Sequence, residues 1–352
     1  MFINGIGTAV PETRYSQAEC WAALESSERL QQLVPRSRAI LRKVLLGRNG
    51  IETRHLALAP LTEAFQVSPD ALQARFNRHA PQLATDAALR SLQETGLKAH
   101  DIDAVLISTC TGYLCPGLTS YVSERLGLRS DAQLLDLVGQ GCGAAIPNLR
   151  TGEALIRAGA RHALCICVEV CSGAYYLDDD PGVLVSACLF GDGAAAAVVS
   201  AEPMPNRRKV EWRIAETVCS PAERDLLRFE SVGGMLRNIL SVRVPDIAAR
   251  HAAAVLDHAL GRAGIDRSEI AGWILHSGGR DVLNALNGVW GLSAEDTRWS
   301  SEVLRRFGNM SSPSCLFALR DALAGGHPAG LWWLASFGAG FTSHGALLKV
   351  GS

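Results

Sequence analysis

The sequence predicts a layered α/β protein built as two similar halves. Three observations carry this reading. Apolar strand-like runs alternate with helical periodicity along the whole chain of 352 residues. A polar, proline-bearing stretch at 201–208 interrupts the alternation. Beyond it the pattern recurs, and in both halves an apolar strand runs into a Gly/Ser-rich turn bearing a reactive-type side chain. The expected division is therefore 1–205 and 206–352.

The elements follow in order. Residues 82–96 have helical spacing and precede an apolar strand at 102–108. A helix at 120–126 leads to 134–138, which reads as a buried strand. Residues 144–158 return to helical spacing, with Ala145, Leu149, Ala154, Leu155 and Ile156 available for an inner face. The runs 163–170 and 194–199 read as further apolar strands, as in a sheet covered on both faces. In the second half a helix at 247–264 precedes a strand at 272–275. Helices from Asp281 and over 315–325, and a strand at 330–336, complete the pattern.

Composition narrows the function. A hydrophobic fraction of 48% and a charged fraction of 20% are those of an ordinary globular protein. The net charge of -1 supplies no field for nucleic acid or an anionic membrane. Basic residues do cluster at Arg36, Arg38, Arg42, Lys43 and Arg48, as a solvated helix face or as a site for a phosphorylated group. No apolar stretch reaches the roughly 20 residues that span a bilayer. Residues 1–6 lack the basic start and long apolar core of a signal peptide, so a cytoplasmic location is expected. The ten cysteines are then expected to be reduced. Cys165, Cys167 and Cys171 lie close together in a strand pattern, and a second paired cluster is missing, so no metal site is expected. Gly139-x-Gly141 lacks the third glycine and the acidic residue of a dinucleotide loop.

Cys142 stands between the strand at 134–138 and the helix at 144–158, in the run Gly139-Gln140-Gly141-Cys142-Gly143. Glycines let backbone turn sharply and approach a substrate. A thiol at a helix N-terminus meets unpaired N–H groups that favour thiolate, which suits an acyl-accepting nucleophile. A buried structural cysteine is the alternative. Two further turns change the balance. Trp273-Ile274-Leu275-His276-Ser277-Gly278-Gly279-Arg280 ends a strand in histidine. Phe307-Gly308-Asn309-Met310-Ser311-Ser312 places asparagine before a helix. Each alone reads as a structural hydrogen-bonder or an N-cap. Together, imidazole activates thiol, and imidazole with a carboxamide donates two hydrogen bonds to one carbonyl oxygen. A neutral amide supports a developing enolate that a carboxylate would repel.

Gly141-Cys142, His276-x-Gly-Gly, Gly308-Asn309-Met310-Ser311-Ser312 and Leu189-Phe190-Gly191-Asp192-Gly193-Ala194-Ala195 resemble the signature set of type III polyketide synthases, the chalcone synthase family. Ser336-Phe337-Gly338-Ala339-Gly340-Phe341-Thr342 resembles that family's C-terminal glycine-rich loop, with Ser336 replacing a usual glycine. The resemblance implies a thiolase fold, duplicated halves in five layers (αβαβα), and a homodimer. It implies decarboxylative condensation of malonyl-CoA onto an acyl-CoA starter, with no cofactor beyond those thioesters. A ketoacyl-acyl carrier protein synthase III-like enzyme, making one condensation, is the alternative. Cys142 would then carry the acyl chain, His276 would keep it ionised, and Asn309 with His276 would hold the enolate. Phe190 resembles the gatekeeper between CoA tunnel and cavity. The second gatekeeper has no counterpart, because the region 239–245 is shortened.

Further positions follow from the same resemblance. Arg48 matches a basic CoA contact, whereas Leu41 and Val44 occupy positions where other bases occur. Thr111, Cys115, Cys171, Gly173, Ala174, Ser186 and Ser311 match positions lining the family cavity, Cys115 reaching that of the partner. Small, weakly polar side chains leave volume for an aliphatic or aromatic acyl group. Thr111 with Cys171 resembles bacterial relatives with a long-chain tunnel, which Tyr175 would shorten. The expected product is an alkylpyrone or alkylresorcinol.

Overall fold

The chain, described at residues 1–205 and 207–352 in a computed structural model, opens with β1 (Phe2–Ala9). Asn206, inside the expected linker, lies outside the described residues. A short antiparallel pair, β2 (Arg14–Ser16) and β3 (Thr53–His55), brackets α1 (Gln17–Glu25), α2 (Glu28–Gln31) and α3 (Pro35–Leu46). The first half continues through α4 (Pro69–Thr95), β4 (Ala104–Thr109), α5 (Leu118–Leu126) and β5 (Gln133–Val138). It closes with α6 (Ala145–Arg157), β6 (His162–Glu169), α7 (Pro181–Leu189) and β7 (Gly193–Ser200). The second half begins with β8 (Val210–Cys219), the hairpin β9 (Leu227–Val232) and β10 (Met235–Leu240), and α8 (Val244–Ala263). Then come β11 (Ile270–Leu275), α9 (Arg280–Trp290), α10 (Arg298–Phe307), α11 (Ser314–Ala324), β12 (Gly330–Gly338) and β13 (Thr342–Val350).

Nine strands form one sheet in the order β11-β12-β13-β8-β1-β7-β6-β4-β5. Reading outward from the centre, β1-β7-β6-β4 and β8-β13-β12-β11 repeat one arrangement. In each, two antiparallel strands lead to a parallel pair. The halves meet edge to edge at Phe2 and Glu211. This is the duplication that the sequence pattern predicts.

Three helix layers enclose the strands. Alanines 80, 84, 87 and 88 of α4 pack on Val105, Ile107 and Ile166 at the outer face of the first half. Small residues bring helix and sheet close: a Cβ on Gly7 would fall 2.1 Å from the carbonyl oxygen of Ala87. α6 and α11 fill the space between the halves, where Ala145, Leu149 and Phe317 pack with Ala197 and Leu334. α8 and α9 cover the outer face of the second half. The order is helix, sheet, helix, sheet, helix. A fully buried leucine such as Leu149 contributes roughly 2 kcal/mol of hydrophobic stabilisation.

One local expectation is corrected. The run 134–138 is a strand, but an exposed one: Leu134 and Val138 are 41% and 56% accessible. β5 is the outer edge of the sheet and pairs only with β4 on its inner side. An apolar run can bury itself on a partner outside the chain, and periodicity alone cannot tell that case from an internal strand.

Candidate active site

Cys142 is the middle residue of a single 3-10 turn, Gly141–Gly143, that comes just before α6. Gly139 and Gly141 have φ of 83° and 57°, a left-handed backbone that glycine adopts without strain. The C-terminal loop lies against this turn. A Cβ on Gly338 would fall 2.4 Å from the Gln140 oxygen and 2.5 Å from the Gly143 nitrogen. Only glycine permits that approach, which sets the backbone of Gly338 beside the Cys142 amide.

His276 follows β11 and is buried. Its amide donates to the Ala335 oxygen at 2.9 Å, and its ring meets the edge of Phe337 at 5.0 Å between centroids. Both ring nitrogens lack a hydrogen-bond partner among the described residues. Asn309 lies between α10 and α11. Its amide donates to Leu189 at 2.9 Å, and its oxygen accepts from Gly191 at 3.0 Å, forming a parallel bridge to Phe190. Its side chain reaches both ways: Nδ2 donates to the Gly278 oxygen at 3.0 Å, and Oδ1 accepts from the Ser311 amide at 2.8 Å. Ser311 and Cys142 line the same cavity.

The turns of His276 and Asn309 are thus joined: Ser311 is held by Asn309, and Asn309 is tied to Gly278 beside His276. A Cβ on Gly278 would lie 3.2 Å from His276 Nε2. Ser311 has a φ of 60°, the only positive value outside glycine among the described residues. Strain of this kind persists where surrounding bonds over-determine the backbone.

Burial dominates the electrostatics. Desolvation pushes the Cys142 thiol up to about 12, against the Ser311 hydroxyl, which pulls it down. Desolvation pushes His276 down to about 4. Burial disfavours a lone thiolate and a lone imidazolium alike.

Cys142 lines a cavity. Thr111, Cys171, Ala174, Ser186, Phe190 and Ser311 all line it, as the sequence predicts. Gly173 lines a second cavity behind Phe229 and Ala339. His276 and Asn309 are not among the residues lining either cavity, though Ser311, which Asn309 holds, lines the first. Two matched positions lie outside both cavities of this chain. Cys115 is exposed and lines neither cavity. Arg48 is exposed and lines neither, while Leu41 and Leu45 of the same segment do line the first. Only three residues separate β10 from α8, so the second gatekeeper's segment is absent and Phe229 of β9 supplies an aromatic wall.

Sequence reasoning missed Glu169. This fully buried carboxylate ends β6 and accepts from the Cys110 amide (3.0 Å), Thr111 Oγ1 (2.9 Å) and Ser312 Oγ (2.9 Å). Desolvation raises its pKa. An acid closing an otherwise apolar strand was the available signal. Cys110, a further thiol lining the cavity, was also missed.

The repeated strand order and the layering are those of thiolase-fold proteins. The model for the N-terminal domain of chalcone and stilbene synthases matches residues 4–203, and that for the C-terminal domain matches residues 231–350. The 3,5-dihydroxyphenylacetyl-CoA synthase of Streptomyces toyocaensis is 31% identical, over 99% of this chain and 89% of that protein. The alpha-pyrone synthesis polyketide synthase-like Pks18 of Mycobacterium tuberculosis is 29% identical, over 99% and 91%. The crystal structure of 1,3,6,8-tetrahydroxynaphthalene synthase from Streptomyces coelicolor A3(2) superposes with a TM-score of 0.90 over all of both chains, at 24% identity. The chain belongs to the chalcone and stilbene synthase family. It is a type III polyketide synthase, a decarboxylating, condensing acyltransferase.

Proposed function

We propose that Cys142 takes an acyl starter from CoA, and that the enzyme extends it with malonyl-CoA and cyclises the product. The sulfur attacks the starter thioester while its proton passes to His276, so that thiolate and imidazolium appear as a pair. CoA leaves as the thiol. Malonyl-CoA then loses CO₂, and the enolate oxygen is held by donors from His276 and the Asn309 amide. The enolate carbon attacks the Cys142 thioester, expelling the thiolate. No resident cofactor is needed, since the CoA thioesters are substrates. The chain works as a cytoplasmic homodimer, the partner covering the exposed edge of β5 and the loop bearing Cys115. Among the described residues no helix is long and apolar enough to cross a membrane.

The starter is a medium or long fatty acyl group, and the product an alkylpyrone or alkylresorcinol. The cavity carries this reading. Besides Cys142, Cys171 and Tyr175, it is lined by Leu24 of α1, Leu41 and Leu45 of α3, and by Leu58 and Phe65. Such a lining suits an alkyl chain and offers few partners to a polar one. One relative is named for α-pyrone synthesis, and others for aromatic products. Family membership favours repeated extension over a single condensation. The test supplies malonyl-CoA with saturated starters from acetyl to palmitoyl, and with benzoyl-CoA, and identifies products by mass spectrometry. Fatty starters should give the highest kcat/KM. A preference for acetyl or benzoyl over every fatty starter would overturn the reading.

A further inference from the structure

The face of the sheet behind the Cys142 turn carries a row of polar side chains that the mechanism above does not use. Ser336 of β12 pairs directly with His344 of β13, and His344 with Thr217 of β8. Directly paired residues share one face of a sheet. Ser336 and His344 sit against the turn that bears the nucleophile, and Thr217 lies next to His344. Ser336, buried, donates from Oγ to the Gly143 carbonyl oxygen at 3.0 Å. His344, also buried, bonds through Nδ1 to Thr217 Oγ1 at 2.9 Å and leaves Nε2 without a partner among the described residues. The imidazole edge abuts the turn: a Cβ on Gly143 would fall 3.0 Å from His344 Cδ2.

Gly143 is thus held by a hydrogen bond on its oxygen and a flat ring against its α-carbon. Gly338, two residues beyond Ser336, presses on its nitrogen. With its peptide fixed on these sides, the preceding residue, Cys142, has little freedom to swing. We propose that Ser336 is a positioning residue for Cys142, its hydroxyl anchoring the Gly143 carbonyl so that sulfur and backbone amide keep the geometry that acyl transfer requires. His344 is the rigid backing of the same anchor. Its ring stays uncharged because burial lowers its pKa to about 4. Thr217 fixes the ring's orientation.

The inference rests on Cys142 being the nucleophile, so the experiment separates the two. Cys142→Ala, Ser336→Ala, Ser336→Gly, Ser336→Thr and Ser343→Ala are purified and compared. Readouts are kcat, KM for malonyl-CoA, the rate of Cys142 alkylation by iodoacetamide, and Tm. Ser343 is the control: it is equally buried in β13, and its hydroxyl has no partner among the described residues. Ser336→Ala and Ser336→Gly should each lower kcat about threefold to tenfold, the worth of one buried hydrogen bond. KM should stay within about twofold, since ground-state binding is untouched. The alkylation rate should change with kcat, and Ser336→Thr, which keeps a hydroxyl, should recover most of the loss. Ser343→Ala should match the parent enzyme. Wild-type kcat in both Ser336→Ala and Ser336→Gly would overturn the proposal. So would a loss in Ser343→Ala as large as theirs. An active Cys142→Ala would instead sink the nucleophile assignment itself.

Discussion

The side-chain amide of Asn309 donates to the carbonyl oxygen of Gly278 at 3.0 Å, tying the turn before α11 to the turn that carries His276. Its Oδ1 is occupied by the Ser311 amide. Carboxamide orientation is therefore fixed from both ends, leaving the second Nδ2 hydrogen for a ligand oxygen. Asn309→Ala should reduce malonyl-CoA decarboxylation by about a hundredfold to a thousandfold, the usual cost of losing one donor to a developing oxyanion. Alkylation of Cys142 should persist. Carbon dioxide release and iodoacetamide kinetics on one preparation check both halves.

Burial sets a pH signature for His276. The Cys142 thiol is pushed up to about 12, so without a proton acceptor its thiolate grows only as pH rises toward that value. His276→Ala should lower Cys142 alkylation near neutral pH by on the order of a hundredfold. The residual rate should climb about tenfold per pH unit, as thiolate fraction does below its pKa. The parent enzyme should react at neutral pH with a flatter profile. Superimposable profiles would remove His276 from the activation of sulfur.

Chain-length preference should respond to the volume of the cavity. Ala23 of α1 is a half-buried small residue lining it. Ala23→Phe adds side-chain bulk there. Preference in kcat/KM should shift to shorter starters, with short-chain rates preserved. One excluded methylene is worth roughly 1–3 kcal/mol of discrimination. Competition between a short and a long acyl-CoA in one tube measures it.

The exposed edge of β5 predicts the assembly. Leu134 and Val138 are apolar and open on a strand with one free side. Val138→Glu should weaken self-association, read as a shift toward monomer in sedimentation velocity. Tm should then depend on protein concentration more steeply than in the parent. An unchanged sedimentation profile would place the interface elsewhere.

Much of this was legible in the sequence because the strongest signals are local. The Gly-rich turn at Cys142, the strand-to-turn step at His276 and the Gly-Asn turn at Asn309 are each encoded in a few adjacent residues. The structure ties the second turn to the third through Asn309 and Gly278, and Ser311 shares a cavity with Cys142. Cavity residues Thr111, Cys171 and Ser186 came from resemblance, and the cavity takes them. Long-range facts were illegible. Nothing in Leu134–Val138 says that its outer side lacks a neighbour. Glu169 drew no attention because its partners, Thr111 and Ser312, lie far away along the chain. Nor does the basic cluster of α3 announce that Leu41 and Leu45 line the cavity while Arg42 and Lys43 are exposed.

The most direct test is to mix the enzyme with a fatty acyl-CoA, omit malonyl-CoA, quench in acid and map the adduct by peptide mass spectrometry. The acyl mass should sit on the peptide containing Cys142 and vanish in Cys142→Ala. An acyl group carried by Cys110 or Cys171 instead, with Cys142 unmodified, would contradict the account.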